Sequence, residues 1–187
     1  CRQSIIPVES FPGPIEKAKV RRSKIPEVGE FRLADPIFPE AFMFEKFISP
    51  RFGDLDGLRH VNNCMVPIWF ENARTPVFKI FNPSMQVDFE TWNLIMARIE
   101  ADFLREMHWG EDVRIITHVV KLGRSSFTVG QEAWQGGKLC AMGTAVHVHF
   151  NFRTKRAVPI PDRIRLELTE HLVDFEEWKA KAVENSK

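Results

Sequence analysis

The sequence predicts an α+β fold: one curved antiparallel sheet wrapped around a single long helix, preceded by an extended arm and followed by a helical segment. Three observations predict it. A segment with helical spacing follows the pair Asn62-Asn63, four long runs of strand character come after it, and six of the twelve prolines fall within residues 1–40.

Taken in order, residues 1–40 show no sustained period and read as a proline-rich arm. Its basic cluster, Lys17, Lys19, Arg21, Arg22 and Lys24, reads as a solvated stretch rather than a nucleic-acid site. The domain proper is expected over 41–161, opening with a strand near 41–49 and a loop rich in polar residues. A helix is predicted over 63–74, with Met65, Ile68, Trp69 and Ala73 spaced to bury one face. Pro67 sits in its first turn, where a missing N–H is tolerated, and Thr75-Pro76 marks a kink or a new cap.

Ile95, Ala97, Ile99, Ala101 and Phe103 alternate with Met96, Arg98, Glu100 and Asp102, the pattern of a half-buried antiparallel strand. Residues 113–122 are a β-branched, nearly continuous run of strand character. A strand over 125–135 follows the Gly123 turn, and Gly136-Gly137 joins it as a hairpin to a strand over 138–152. On that last strand Cys140, Met142, Val146, Val148 and Phe150 are expected to share a face. Residues 162–187 form the C-terminal segment, with a helix opening at Pro161-Asp162 and a second over 175–183.

Composition excludes several classes. The 187 residues, 44% hydrophobic, suffice for one domain with a real core, and a net charge of +1 points to neither nucleic acid nor an anionic surface. No apolar run is long enough to span a bilayer. Cys1, Cys64 and Cys140 form neither a disulfide framework nor a metal-type pair, which fits a reducing compartment: the cytoplasm, or an organelle matrix after removal of a targeting segment. The chain opens on Cys1 rather than methionine, as a processed or late-starting chain does.

The chemistry concentrates in Asp54-Leu55-Asp56-Gly57-Leu58-Arg59-His60-Val61-Asn62-Asn63, followed by Glu71-Asn72-Ala73-Arg74. An asparagine just before a helix leaves backbone N–H groups converging on one spot, where developing negative charge is favoured. An aspartate beside that spot can attack a carbonyl, or activate a water, while the N–H groups polarise the carbonyl oxygen.

This run resembles the signature of the hotdog-fold thioesterases of the 4-hydroxybenzoyl-CoA thioesterase type and of the related acyl-ACP thioesterases: Asp-x-Asp-x-x-x-His-Val-Asn-Asn, seven residues, then Glu-x-Ala-Arg. Asp54, Asp56, His60, Val61, Asn62, Asn63, Glu71, Ala73 and Arg74 fill every fixed position. The resemblance runs from about Ala41 to Pro161, through Gly123-Arg124-Ser125-Ser126-Phe127 and the closing Pro159-Ile160-Pro161-Asp162. It implies hydrolysis of an acyl thioester, on coenzyme A or an acyl carrier protein, by a homodimer or higher homo-oligomer with no cofactor beyond the carrier's own phosphopantetheine. Asp56 is implied as nucleophile or general base, His60 as orienting the carbonyl or assisting the departing thiolate, and Asn63 as the source of the polarising backbone N–H. Asn62, Arg59 and Arg124 are the expected substrate-binding residues, Asn62 also as a cap, Arg124 toward coenzyme A phosphates, with Lys121 a weaker companion. Asp54 is expected to brace the loop. Three positions depart from the relatives: Arg59 replaces a common glycine, Leu58 the asparagine of acyl-ACP enzymes, and Val66 a helix tyrosine.

Other readings stand beside this one. Glu71 and Arg74 are spaced for an ion pair. Glu106 resembles a carboxylate that follows the second strand in acyl-ACP enzymes, a candidate second acid. His147 and His149 share a strand face but have no third ligand in register, so no metal is expected. A hydratase would need a different acid–histidine spacing. A non-catalytic hotdog, acyl-binding or structural within a larger assembly, stands as the alternative.

Overall fold

The computed structural model describes residues 43–88 and 91–184; the predicted arm over 1–40 lies outside the described residues. A short strand, β1 (Phe44–Ile48), leads into a 3-10 turn at Phe52–Asp54 and the signature loop. Two helices follow, α1 (Met65–Ala73) and α2 (Thr75–Phe81), parted at Arg74. The break falls where Thr75-Pro76 demands it, because Pro76 has no N–H to continue the α1 ladder. Pro67 occupies the third position of α1, still inside the first turn, so no intrahelical bond is lost there.

Four long strands then run β2 (Leu94–Phe103), β3 (Val113–Leu122), β4 (Ser126–Gln135) and β5 (Lys138–Asn151), with a two-residue β6 (Arg156–Ala157) against β5. All pairings are antiparallel and the order is β1-β3-β4-β5-β2. Gly136 and Gly137 both take positive φ, +58° and +72°, and close the β4–β5 hairpin with Gln135 opposite Lys138. Only residues without a Cβ adopt that pair of angles freely. The sheet curls around α1 and α2, the hotdog arrangement.

Packing divides into an inner and an outer layer. Inside, Val66, Trp69, Phe70 and Ala73 of α1 pack on Val113, Ile115 and Ala133, while Val77, Ile80 and Phe81 of α2 pack on Val119, Phe127, Val129 and Ala145. Each large apolar side chain buried there contributes roughly 1.5–3 kcal/mol. Helix α3 (Asp162–Thr169) closes the α2 end through Ile164 and Leu168. Outside, helix α4 (Phe175–Glu184) lays Trp178 and Ala182 on Ile116, Val120 and Met142. Cover on both faces explains why Val113 through Val120 are all buried, Arg114, Thr117 and His118 included, rather than alternately buried and exposed.

Three expectations about faces are corrected. Helix α1 buries Val66, Trp69, Phe70 and Ala73, while Ile68 stays 53% exposed. The segment is apolar on more than one side, so spacing alone left its rotation undecided and the sheet chose it. Strand β2 is not half-buried: Ile95, Met96, Ile99 and Phe103 are all exposed. Among the described residues it is the sheet's edge, paired with β5 alone, and none of them covers its apolar positions. On β5 the more buried face carries Ala145, His147 and His149, with Val146, Val148 and Phe150 only half-buried.

Candidate functional site

The signature loop is stitched from both ends. Asp54 is buried; its carboxylate accepts from the Arg51 backbone N–H at 2.8 Å and from the Arg51 guanidinium at 3.1 and 3.4 Å. Burial disfavours the Asp54 charge, but the backbone N–H and guanidinium of Arg51 outweigh it and hold the carboxyl below its ordinary value. The Asn62 N–H donates to the Asp54 carbonyl at 2.8 Å, Leu55 bridges Val61, and the Val61 N–H donates to the Met107 carbonyl at 2.8 Å. Asp54 is thus the brace the motif implied.

Asp56 stands at the tip of this frame. Its Oδ1 accepts from the Leu58 N–H at 2.8 Å and the His60 N–H at 3.2 Å. Its Oδ2 has no partner among the described residues. The tight turn between Asp56 and His60 sets Arg59 at φ +66°, the left-handed region. That angle is the physical reason a glycine suits this position, and why an arginine here is strained. The Arg59 and Leu58 side chains both project into solvent.

The helix entry follows at once. Asn62 Oδ1 accepts from the Cys64 N–H at 2.9 Å, an Asx turn that leads into α1, whose cap position is Cys64 itself. Asn63 is exposed; its carbonyl accepts from the Val66 N–H at 3.2 Å, and its own N–H has no partner among the described residues. Asp56, His60, Asn62 and Asn63 therefore share one loop and one helix entry.

Two residues from the β2–β3 connection complete the cluster. His60 bridges His108 across the backbone, and their rings meet edge-on at 5.2 Å. His60 Nε2 lies 3.3 Å from Glu106 Oε2, and His108 Nε2 lies 3.7 Å from Glu106 Oε1. Gln135 from the β4–β5 hairpin anchors the segment, accepting from the His108 N–H at 2.7 Å and donating to the His108 and Glu111 carbonyls. The sequence offers Glu106 as a candidate second acid but gives no signal for His108, since a histidine between strands carries no pattern of its own. Beside them opens a cleft of about 460 Å³ whose wall includes Arg105, Glu106, His108, Lys138 and Cys140.

Arg124 is not brought to this cluster within one chain. It lies in the exposed β3–β4 turn, whereas β3 begins beside Ile48 near the loop; ten residues of β3 separate the two ends by about 30 Å. Among the described residues its carbonyl, not its guanidinium, is engaged, accepting from the Ile160 N–H and Arg165 Nη2. Lys121 stacks on the Phe175 ring at 4.0 Å. Glu71 and Arg74 do not form the expected ion pair: Glu71 is exposed, and Arg74 is buried with Nη1 donating to Gln131 Oε1 at 2.8 Å. His149 is held by the Pro159 carbonyl at 2.9 Å and His147 lies among Phe78 and Phe127. Among the described residues no three His, Cys, Asp or Glu side chains are grouped to hold a metal.

Known proteins share this architecture. A structure described as a predicted thioesterase from Bacillus stearothermophilus is 42% identical, with TM-score 0.68, covering 71% of this chain and 98% of that one. A thioesterase from Thermus thermophilus, complexed with coenzyme A and Zn, is 32% identical, with TM-score 0.59, covering 66% of this chain and 95% of that one. The uncharacterized protein YsmA of Bacillus subtilis (strain 168) is 30% identical over 125 residues, 65% of this chain and 82% of YsmA. The sequence model of the thioesterase-like superfamily matches residues 50–168, loop, helices and sheet together. On that match and these likenesses, the chain belongs to the thioesterase-like superfamily and has the hotdog fold.

Proposed function

We propose that this protein hydrolyses an acyl thioester of coenzyme A to the free acid and thiol, with Asp56 as the group that drives the attack. The observation that carries this reading is the Asp56 carboxylate: one oxygen fixed by two backbone N–H groups, the other without a partner among the described residues, on the loop that ends at the Asn63 N–H, likewise unpaired among them. A thioester carbonyl resting on the Asn63 amide is polarised at its oxygen. Asp56 then either attacks the carbonyl carbon, so that the C–S bond breaks to leave a mixed anhydride that a water hydrolyses to the acid and free Asp56, or takes a proton from a water that attacks, and the C–S bond breaks to give the acid directly. His60, aligned by Glu106, supplies a proton to the departing sulfur. Thioesters are activated acyl donors, so one carboxylate with preorganised N–H donors is adequate machinery.

Coenzyme A as carrier is supported by the Thermus relative, which binds it. Arg105 and Lys138, in the wall of the adjoining cleft, are cationic side chains suited to its phosphates. A homodimer is supported by two features of the chain. The outer edge of β2 is ten residues long and studded with exposed Ile95, Ile99 and Phe103, which a second copy would cover. Arg124, at the wrong end of its own sheet, would then come to the site from the partner.

The test is a thiol-release assay across acyl-CoA chain lengths and aromatic acyl-CoAs, comparing wild type with Asp56→Asn. We expect turnover to fall about 10²- to 10⁴-fold, the range for removing a positioned acid–base group, with the fold retained. Equal rates would reject Asp56, and no release from any thioester would favour an acyl-binding, non-catalytic hotdog.

A further inference from the structure

Alongside α1 and α2 runs a second groove, of about 680 Å³, whose wall includes Ile68, Phe78, Trp92, Leu94, Arg74 and His147. It is mainly apolar, yet two polar groups are sunk into it. Arg74 is 1% and His147 3% exposed. Arg74 Nη1 is held by Gln131 and Nη2 contacts the Met96 sulfur at 3.9 Å, but Arg74 Nε has no hydrogen-bond partner among the described residues. His147 Nε2 has none either. A buried donor left unpaired is costly, and a buried guanidinium without a counter-ion more so. Glu71, the nearest acid in sequence, is exposed and makes no ion pair with it among the described residues.

The electrostatics agree with the geometry. Burial, opposed only in part by Glu71, brings Arg74 down to about 10, so the guanidinium is still charged near neutrality. Burial and the neighbouring Arg74 push His147 down to about 3, which keeps the imidazole neutral. The wall of the groove therefore holds the buried Arg74 charge and a ring nitrogen without a partner among the described residues; Glu71 also lines it and attracts Arg74, but makes no ion pair with it.

The groove and the candidate active site share helix α1, whose N-terminal entry follows Asn63 and whose later residues line the groove. Arg74 lies eleven residues beyond Asn63, about 16 Å along the axis of α1, and exposed Ile68 stands between them. A chain whose carbonyl rests on the Asn63 amide can follow α1 over Ile68 into the groove. We infer that this groove takes the acyl part of the substrate and that Arg74 and His147 receive a carboxylate at its far end, making half-thioesters of long-chain dicarboxylic acids the favoured substrate class. A carboxylate neutralises the buried guanidinium and accepts from both unpaired nitrogens, while the Phe78, Trp92 and Leu94 side chains hold the methylene chain. This rests on the thioesterase reading above and adds the acyl class to it.

The test pairs each monocarboxylic acyl-CoA, from octanoyl to hexadecanoyl, with the matching dicarboxylic half-thioester, in wild type, Arg74→Met and His147→Phe. Wild type is expected to show kcat/KM about 10- to 100-fold higher for one or more dicarboxylic members, the factor carried by a charge-assisted hydrogen bond. In Arg74→Met the ratio falls toward one, and in His147→Phe it drops in the same direction. A wild-type ratio of one or less at every length overturns the inference, as does a ratio that both variants preserve. Arg74 also bonds Gln131 inside the core, so circular dichroism melts accompany each variant, and His147→Phe decides the matter if Arg74→Met does not fold. Should wild type cleave no thioester, the hydrolase reading fails on its own, and calorimetry with the free acids judges the groove: dicarboxylate bound tighter than monocarboxylate supports it, and equal binding overturns it.

Discussion

His60 Nε2 lies 3.3 Å from Glu106 Oε2, a contact that joins the signature loop to the connection between β2 and β3. The two residues stand forty-six positions apart, and the bridge from His60 to His108 brings them together. Through it the histidine of the motif acquires an orienting carboxylate, the arrangement in which an imidazole is aimed and held for proton transfer.

If that pair works as a unit, its members lose function together. Glu106→Gln and His60→Gln should each lower kcat for thioester hydrolysis, by about 10- to 100-fold. The double variant should fall well short of the product of the two losses, a coupling of about 1 kcal/mol or more in a double-mutant cycle. Strict additivity would mean the contact has no catalytic role.

Arg59 makes a second prediction through its backbone. At φ +66° an L side chain is strained by roughly 1–2 kcal/mol, part of which glycine returns through the flexibility of the unfolded chain. Arg59→Gly should raise stability by about 0.5 kcal/mol in chemical denaturation. If the retained arginine serves substrate binding, the same variant should raise KM for acyl-CoA.

A third prediction concerns the edge of the sheet. Ile99→Glu places a charge in the middle of the exposed apolar row on β2. It should convert a dimer to a monomer in sedimentation velocity, and activity should fall with it, because Arg124 would no longer reach the site. A wild-type protein that is monomeric at assay concentrations would remove this interface.

Beneath α4 lies a buried carboxylate whose titration should be visible in stability. Glu132 is fully buried; Trp178 Nε1 donates to its Oε1 at 2.7 Å and Trp134 Nε1 to its Oε2 at 2.9 Å. Gly130 makes this possible, since a Cβ there would meet the Trp178 indole at 2.8 Å. Burial pushes the Glu132 carboxyl up to about 7, against the two indole bonds and Arg114, which favour the charge. The folded state thus holds this proton more tightly than the unfolded chain, so stability is greatest below about pH 4.5 for this group and is lost as pH rises toward 7. The full swing is about 3 kcal/mol. Urea melts of wild type should weaken over that window relative to Glu132→Gln, and parallel pH curves for the two proteins would refute the assignment.

Much of this molecule is legible in its sequence. The Gly136-Gly137 hairpin, the helix stop at Thr75-Pro76 and the strand over 113–122 are governed by local rules: φ freedom, a missing N–H and a run of β-branched residues. The loop from Asp54 to Asn63 is likewise readable, because its hydrogen bonds are nearly all made within a dozen residues of sequence.

What tertiary structure decided is whatever depends on a neighbour distant in sequence. The rotation of α1, which exposes Ile68, was chosen by the sheet it packs on. Exposure of β2 follows from its place at the edge, which alternation cannot report. Arg74 bonds Gln131 across 57 positions rather than Glu71 across three, because burial placed it where that carboxylate does not reach. Local backbone chemistry writes its preferences into adjacent residues, whereas burial and charge pairing are set by which surfaces meet, and only the folded chain determines that.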